Sequence, residues 1–464
     1  MAQPRGQWSG RLGFILAATG SAIGLGNLWK FPYITYENKG GAFVLIYIVA
    51  VLLVGLPIMI AEIMLGKRTQ KSPVGAFKEM AQGKPGARWW PGVGFLGVIA
   101  GFVILSYYSV VAGWTLHYIF LALKGELTQL AQDRAVLSDY FNQNFLGNGW
   151  QQSGYHVLFM ILTTSAVFFG VKGGIERAAK FLMPLLFLIL IVLVGYATTT
   201  PGFGEAMRFI FRPNFGDLTT ASILEALGHA FFTLSLGMGA MLTYGSYMGK
   251  DISIPRAALQ ISALDTLIAI MACIIMYSII FSDPFEVKGS STILFTTLPT
   301  VFVDLDGGGF INGLFYLLVA FAALTSTISL LEVVSSYAID ELGWSRRRAT
   351  VTMGTVITLF GVLNALSHGG NAALTGFNPF CKEKAPGLFG VLDYLASNWF
   401  LPVGGLLIAL FVGWILGRRE TQPVLEHGHG AMASYGIWRF LIRFAAPLAV
   451  GAIIVSVILG REYN

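Results

Sequence analysis

Cysteine and charge are both scarce in this sequence. Of its 464 residues only two are cysteine, Cys273 and Cys381, and only 12% are charged, whereas 55% are hydrophobic. Two cysteines so far apart give neither a metal-ligand spacing nor a disulfide framework, so redox chemistry is not indicated. The low charge and a mean hydropathy of +0.69 lie far outside the balance of a soluble domain and predict an integral membrane protein.

Positive charge exceeds negative charge, with a net charge of +6. The basic residues are spread through short loops and do not form one clustered face, so a nucleic-acid partner is not expected. If the N-terminus is cytoplasmic, most of the 30 lysines and arginines fall in the inner loops, as membrane orientation requires. The lipid bilayer is therefore the expected surrounding. We also expect no cleavable signal peptide, because the first residues are polar and no short apolar core precedes a cleavage site.

Apolar segments of roughly 20 residues, the length a helix needs to cross a bilayer, occur eleven times. Their approximate spans are 11–36, 41–66, 90–124, 153–171, 178–199, 222–249, 256–282, 309–340, 348–367, 388–417 and 436–460. No stretch between them resembles a soluble catalytic domain. The fold class expected is an all-α integral membrane protein with about eleven transmembrane helices in a single domain, 1–464.

Two of these segments contain small and polar residues where leucines would be expected. The first reads TGSAIGLGN, Thr19 to Asn27, and the sixth contains FFTLSLGMG, Phe231 to Gly239. Such glycines either let neighbouring helices approach closely or allow the helix to unwind. Where a helix unwinds inside a membrane, its backbone N–H and C=O groups must contact protein, water or a ligand. Matched breaks in helices one and six favour unwinding at mid-membrane in a five-plus-five inverted repeat. Repeat one is then 11–199, repeat two 222–417 and the extra helix 436–460.

Four long motifs narrow the interpretation. The first two helices read RLGFILAATGSAIGLGNLWKFPY and GGAFVLIYIVAVLLVGLPIMIAEIMLGK, and two later segments read AFFTLSLGMGAMLTYGSYM and ALTSTISLLEVVSSYAIDEL. From about Trp8 to Trp414 the chain resembles the neurotransmitter:sodium symporter family. The resemblance implies a sodium-coupled importer in the bacterial inner membrane, the plasma membrane, with a cytoplasmic N-terminus. A small amino acid is the implied partner, and no obligate protein partner is implied.

The resemblance also implies two Na⁺ sites, since a dehydrated sodium ion needs several hard oxygen ligands. The residues that match the first site are Ala22, Asn27, Thr233 and Asp265. Those that match the second site are Gly20, Ile23, Ala322, Thr325 and Ser326.

Asp265 is the only charge between Ala257 and Ser282. A carboxylate at that depth is either functional or a hydrogen-bonded structural acid, and its cost favours function. Chloride-dependent members of the family carry Asn at this place and Ser four residues later, where this chain has Ala269. Asp265 is therefore expected to supply the charge that chloride supplies elsewhere, and transport is expected to be chloride-independent.

An amino acid zwitterion needs partners for its two charges and an apolar pocket. The resemblance implies that the N–H groups of Leu25 and Gly26 and the hydroxyl of Tyr108 hold the carboxylate. Without the resemblance, Tyr108 would be interpreted as an ordinary packed aromatic residue. The ammonium would face carbonyls and a hydroxyl from Ala22, Phe232, Thr233 and Ser326. The side-chain pocket would be lined by Ser21, Ile104, Phe232, Ser235, Met238, Ser326 and Leu330.

No charged side chain lies in that predicted pocket, which favours a hydrophobic amino acid. Met238, between two glycines, replaces a larger aromatic residue of leucine-type pockets, and methionine adapts its shape. Large aliphatic or aromatic substrates such as leucine, phenylalanine and tryptophan are therefore expected. Ser21, where many relatives carry Asn, leaves the preferred amino acid open.

Two pairs of charges match the gates of the family. Lys30 and Asp393 match the outer pair, and because lysine lacks the fork geometry of arginine we expect a loose contact, the alternative being two unrelated solvated charges. Arg5 and Asp340 match the inner pair.

Three competing interpretations remain at this stage. A gated ion channel would be expected to show filter motifs or a ring of like charges, and neither is evident. A membrane enzyme would need a nucleophile, a base and an oxyanion site, or a metal cluster, on one face, so we do not expect an enzyme. The gated channel is the runner-up, and a sodium-coupled transporter of another small zwitterion is the other alternative.

Overall fold

The computed structural model describes residues 6–249, 251–282, 293–304, 306–380, 387–426, 432 and 434–460. This part of the chain is mostly helical and has no β-strand. A helix lies in each of the eleven predicted spans. In chain order they are α1 (Arg11–Ala22 and Gly26–Glu37), α2 (Gly41–Thr69), α3 (Pro91–Leu123), α4 (Gly149–Phe168), α5 (Val171–Ala197), α6 (Thr220–Thr233 and Ala240–Gly245), α7 (Ile254–Ile280), α8 (Gly308–Leu342), α9 (Arg346–Leu366), α10 (Gly387–Ile415) and α11 (Tyr435–Ile458).

Within the described ranges, eight of these helices are long and apolar enough to cross a membrane, and a ninth qualifies if the bent pair of α1 is one span. The remaining two are α4, which begins with polar residues, and α6, which is interrupted. The prediction of an all-α membrane protein with many spans is confirmed. The assignment of two inverted repeats stays a prediction.

Shorter helices connect the spans. They are Pro73–Met80, Glu126–Leu130, Arg134–Asp139, Phe203–Phe211, Ile293–Val303, Ala372–Thr375 and Arg418–Glu426.

Helix α1 is interrupted within TGSAIGLGN, as its glycines predict. Its first half ends at Ala22, Ile23 is extended with φ −73° and ψ 117°, and the second half begins at Gly26 with a bend of 49°. A three-residue gap of this kind leaves backbone groups free of the helical hydrogen-bond ladder, so they can contact side chains or a ligand.

Helix α6 is interrupted by a tighter set of turns. Its first half ends at Thr233, and Ser235, Gly237 and Gly239 have φ values of 54°, 79° and 75° before Ala240 starts the second half. Glycine adopts this left-handed region freely, whereas Ser235 does so at a cost. The side chain of Glu62 supports the turn, because its Oε1 accepts a 2.7 Å hydrogen bond from the Gly237 N–H.

The two longest helices, α3 and α8, enclose both interruptions. They have 33 and 35 residues and are packed against each other along their length. Their central side chains are buried, including Tyr108 on α3 and Ser326 on α8. The fold therefore brings the breaks of α1 and α6 to the same buried level as these two helices.

Candidate functional site

A cavity lies where the two helix breaks meet. Its lining consists of Ser21, Ala22, Gly24, Gly26, Ile104, Tyr108, Phe232, Thr233, Ser235, Met238, Ser326 and Leu330. Every predicted pocket residue except Leu25 is among them, and Gly24 is the one that the sequence analysis did not assign. None of the described residues that line this cavity has a charged side chain. Its free volume is only about 20 Å³, so the lining residues are nearly in contact in this structure and a bound molecule would have to move them apart.

The break in α1 is tied to α3 by Tyr108. The N–H of Leu25 donates a 2.8 Å hydrogen bond to the Tyr108 hydroxyl, which explains why Leu25 lies behind the lining and not in it. Gly24 lies between Tyr108 and Ser326, and a Cβ there would be 2.6 Å from Ser326 Oγ. The absence of a side chain at residue 24 therefore keeps this end of the cavity open.

The polar end of the cavity contains serine hydroxyls. Ser235 donates a 2.8 Å hydrogen bond to the carbonyl of Ser21, and the Ser21 hydroxyl donates to Ser329 Oγ at 2.7 Å. These contacts join the breaks of α1 and α6 to α8. Ser329 was not predicted, and only its position one turn after Ser326 could have suggested it.

Asp265 forms the centre of a buried cluster beside the cavity. Its side chain is fully buried, and its carboxylate accepts hydrogen bonds from Asn27 Nδ2 at 2.8 Å, Thr233 Oγ1 at 3.0 Å and Tyr47 Oη at 3.1 Å. All three donors are neutral. Within the described residues, no lysine, arginine or histidine forms an ion pair with this carboxylate. A buried carboxylate without a cationic partner is unstable, so the cluster is suited to hold a small cation.

A second oxygen cluster lies across the break of α1. The Ser326 hydroxyl lies 3.0 Å from the Ile23 carbonyl oxygen and 3.5 Å from that of Gly20. Thr325 Oγ1 lies 2.9 Å from the carbonyl oxygen of Ala322, and its side chain packs directly against Gly20. All five residues predicted for the second sodium site are thus brought together, and they offer hydroxyl and carbonyl oxygens, the ligand type that hard cations prefer.

The predicted outer pair is not joined by a direct ion pair among the described residues. The Lys30 ammonium lies 5.3 Å above the ring of Phe232, and the Asp393 carboxylate accepts a 3.2 Å hydrogen bond from Ser397. Lysine bound to an aromatic face is positioned by a cation–π contact, which sequence spacing alone does not reveal.

The predicted inner pair can be described only in part. Arg5 lies outside the described residues, whereas the Asp340 carboxylate accepts a 2.5 Å hydrogen bond from the N–H of Ser72. Trp8 anchors the start of the chain nearby, because its indole N–H donates to the carbonyl of Tyr244 at 2.9 Å.

A buried ion pair on α8 was missed by the sequence analysis. Glu332 is fully buried and forms two 2.8 Å hydrogen bonds with the guanidinium of Arg346, and the hydroxyl of Tyr247 donates to it at 2.5 Å. These contacts join the turn that follows α6, where Tyr247 lies, to α8 and to the start of α9. Three arginines in a row at 346–348 gave no signal as to which one turns inward.

Removing Arg346 is expected to destabilise the protein. In Arg346→Gln the carboxylate of Glu332 stays buried without its cation, a change that costs roughly 3–5 kcal/mol for a fully buried pair. Because a quarter of the Arg346 side chain is exposed, we expect about 2 kcal/mol. Thermal unfolding in detergent measures the effect, with the exposed Arg347→Gln as the control. Equal midpoints for the two variants would show that the pair contributes no net stability.

The atom types in the two oxygen clusters indicate which kind of metal ion they could bind. No group of three or more His, Cys, Asp or Glu side chains in the described ranges could hold a transition metal. Hydroxyls, carbonyls and one carboxylate remain as donors, which suits an alkali cation better than zinc or copper.

Comparison with known proteins decides the family. A family model described as the sodium:neurotransmitter symporter family matches residues 5–144 and 128–462. The chain belongs to this family. It is 38% identical to an uncharacterised sodium-dependent transporter of Bacillus subtilis over 97% of both chains. It is also 31% identical to an uncharacterised sodium-dependent transporter of Haemophilus influenzae over 97% of this chain and 98% of the other.

A solved structure supports the same assignment. The crystal structure of MhsT in complex with L-phenylalanine matches with a TM-score of 0.87 at 40% identity, over 97% of this chain and 99% of that one. As a family member, this protein is a sodium-dependent symporter with many membrane spans. The expected resemblance is confirmed.

Proposed function

We propose that this symporter imports hydrophobic L-amino acids, with large aliphatic and aromatic side chains among its substrates. The uncharged cavity between the breaks of α1 and α6 is the observation on which the proposal rests. Its lining combines hydroxyls at one end with Ile104, Met238 and Leu330, which gives both a polar and an apolar subsite. The likeness to a transporter that binds L-phenylalanine supports the same substrate class.

In this proposal the zwitterion lies with its charged groups at the break of α1. Its carboxylate is bound by the N–H groups of Leu25 and Gly26 and by the Tyr108 hydroxyl, which exchanges its present Leu25 contact for the substrate. Its ammonium faces the carbonyls near Ala22 and Phe232 and the Ser326 hydroxyl. Each of these groups lies at or directly behind the cavity wall.

Two sodium ions complete the proposed site. Asp265, Asn27, Thr233 and the carbonyl of Ala22 hold the first, where the Asp265 charge balances that of the ion. The cluster of Ser326, Thr325 and the carbonyls of Gly20, Ile23 and Ala322 holds the second. Because the substrate carboxylate shares the first ion, the affinity for each depends on the other.

Alternating access then follows from movement around the two breaks. Lys30 and Asp393 would close the outer path and Arg5 with Asp340 the inner path. We propose the bacterial inner membrane as the location, with the N-terminus in the cytoplasm, since the basic loops then face inward.

Binding by purified protein tests the substrate class. Thermal unfolding is measured with each of the twenty amino acids, with sodium or with potassium in its place. We expect leucine, phenylalanine and tryptophan to raise the midpoint in sodium only. Stabilisation by glutamate, lysine or glycine alone would contradict the proposed class while leaving the family assignment intact.

The residue at 238 is expected to set the size of the substrate. Met238→Phe adds a ring at a residue whose backbone lies directly beside Gly97 and cannot move back, so tryptophan uptake should fall about tenfold relative to leucine uptake. Met238→Leu conserves the volume and serves as the control. Competition by unlabelled tryptophan against radiolabelled leucine measures the ratio. An unchanged ratio in Met238→Phe would place the bulk of the substrate elsewhere.

A further inference from the structure

A second pocket lies between the end of α10 and the start of α11, and its lining residues are distant in sequence from those of the cavity between the two helix breaks. Its wall includes Arg418, Arg439 and Arg443, together with Gln422, Glu426 and Tyr435. We call it the basic pocket. It encloses about 560 Å³ and shares no lining residue with the substrate cavity.

The charges of the basic pocket are unbalanced. Among the described residues of its wall, three guanidinium groups face one carboxylate, that of Glu426. Glu426 Oε1 already accepts hydrogen bonds from Gln422 Nε2 at 2.9 Å and from the Met432 N–H at 3.1 Å. None of the three arginines forms an ion pair with a carboxylate of the described residues. The pocket therefore has an excess of positive charge and attracts an anion.

The arginines are held in place by contacts that leave donors available. Arg439 donates to the carbonyls of Val412 and Leu416, both at 2.7 Å, where α10 ends. The guanidinium of Arg443 lies 4.4 Å above the ring of Trp414, and its Nε is buried without a hydrogen-bond partner in the described part of the chain. A fixed, incompletely satisfied guanidinium is suited to the oxygens of a phosphate group.

The surroundings of the basic pocket are apolar on one side. The same turns of α11 carry Ile437 and Phe440, which are 65% and 61% exposed, and Trp414 beside Arg443 is 51% exposed. On a membrane-spanning helix such side chains face lipid tails, and tryptophan with arginine is typical of the headgroup level. A ligand with a phosphate head and acyl chains fits both sides, whereas free phosphate uses only one.

We propose that the basic pocket binds the phosphate headgroup of an anionic phospholipid of the leaflet into which α10 and α11 open. The headgroup phosphate contacts Arg443 and Arg418, and its acyl chains run along the exposed apolar face of α11. Arg439 keeps its contacts with the end of α10 and adds to the positive field.

Native mass spectrometry of the purified full chain tests this site. The protein is mixed with phosphatidylglycerol or phosphatidylcholine of the same acyl chains, and the retained adducts are counted. We expect at least fivefold preference for phosphatidylglycerol, falling about fivefold in Arg443→Gln and further in Arg418→Gln with Arg443→Gln. Arg419→Gln, the neighbouring arginine outside the lining, is the matched control and should retain the preference. If Arg443→Gln unfolds, Arg418→Gln alone is used for the same lipid comparison, because Arg418 is exposed and its replacement should not disturb the fold.

Three outcomes would overturn the proposal. The first is an equal loss in Arg419→Gln, which would show a general charge effect. The second is equal retention of the two lipids by the unaltered chain. The third comes from a thermal-shift arm in which inorganic phosphate at the same concentration stabilises the protein as much as phosphatidylglycerol does, which would assign the site to free phosphate.

Discussion

Replacing Asp265 with asparagine is expected to lower sodium-driven uptake by at least about 100-fold, the factor that corresponds to roughly 3 kcal/mol for a lost buried charge partner. The carboxylate is fully buried and accepts hydrogen bonds from Asn27, Thr233 and Tyr47, so the neutral amide removes the charge that we propose balances a bound sodium ion. Uptake into proteoliposomes at varied sodium concentration measures the effect.

The control for this prediction is Asp251→Asn, an exposed aspartate shortly before α7, which should leave uptake unchanged. A second variant separates lost charge from lost fold. The double variant Asp265→Asn with Ala269→Ser has the Asn and the Ser, one helical turn apart, that chloride-dependent relatives carry. We expect it to recover part of the uptake only when chloride is present. Two results would refute the role given to Asp265. One is unchanged uptake in Asp265→Asn, and the other is a severalfold loss in the unaltered protein when gluconate replaces chloride.

Adding one methyl group at Gly24 is expected to weaken substrate binding strongly. In Gly24→Ala the new Cβ clashes with the Tyr108 hydroxyl and lies 2.6 Å from Ser326 Oγ, so it displaces two groups that the substrate is proposed to contact. Overpacking of this kind costs up to about 3 kcal/mol, so the apparent affinity for phenylalanine should fall about 100-fold. Equilibrium binding of radiolabelled phenylalanine in sodium measures it.

Gly228→Ala is the matched control, because nothing lies within 4 Å of a Cβ at this glycine of α6. It should bind as the unaltered protein does and keep its thermal stability, and the affinity of Gly24→Ala is measured at a temperature at which that variant is still folded. Normal phenylalanine affinity in Gly24→Ala would mean that the substrate lies outside this cavity.

The local chemistry of the breaks made much of the site predictable. The glycines of TGSAIGLGN and of the segment around Gly237 predicted that both helices are interrupted, and the structure interrupts them at these residues. Asp265 stood out because a lone charge in an apolar run is costly. These signals are local in sequence, so a single chain is enough to detect them.

Contacts between distant residues were harder to predict. Nothing near Glu332 indicated that Arg346, and not Arg347 or Arg348, turns inward to it. Likewise, Lys30 contacts the ring of Phe232, although the family resemblance paired it with Asp393. Such choices depend on how helices pack and rotate, which periodicity does not specify.

Gly24 shows the same limit inside a correctly located motif. The sequence places Leu25 and Gly24 next to each other, and only the extended turn at Ile23 decides that Gly24 faces the cavity while Leu25 donates to Tyr108. Once a helix unwinds, its 3.6-residue period no longer predicts which residue points inward.

Uptake against a gradient tests the central claim most directly. Purified protein is reconstituted in liposomes, and radiolabelled L-phenylalanine is followed with sodium imposed outside, with equal sodium on both sides, or with potassium in place of sodium. A sodium-coupled importer of hydrophobic amino acids accumulates phenylalanine above its external concentration only under the inward sodium gradient. Accumulation without that gradient, or mere equilibration with it, would contradict the proposed coupling.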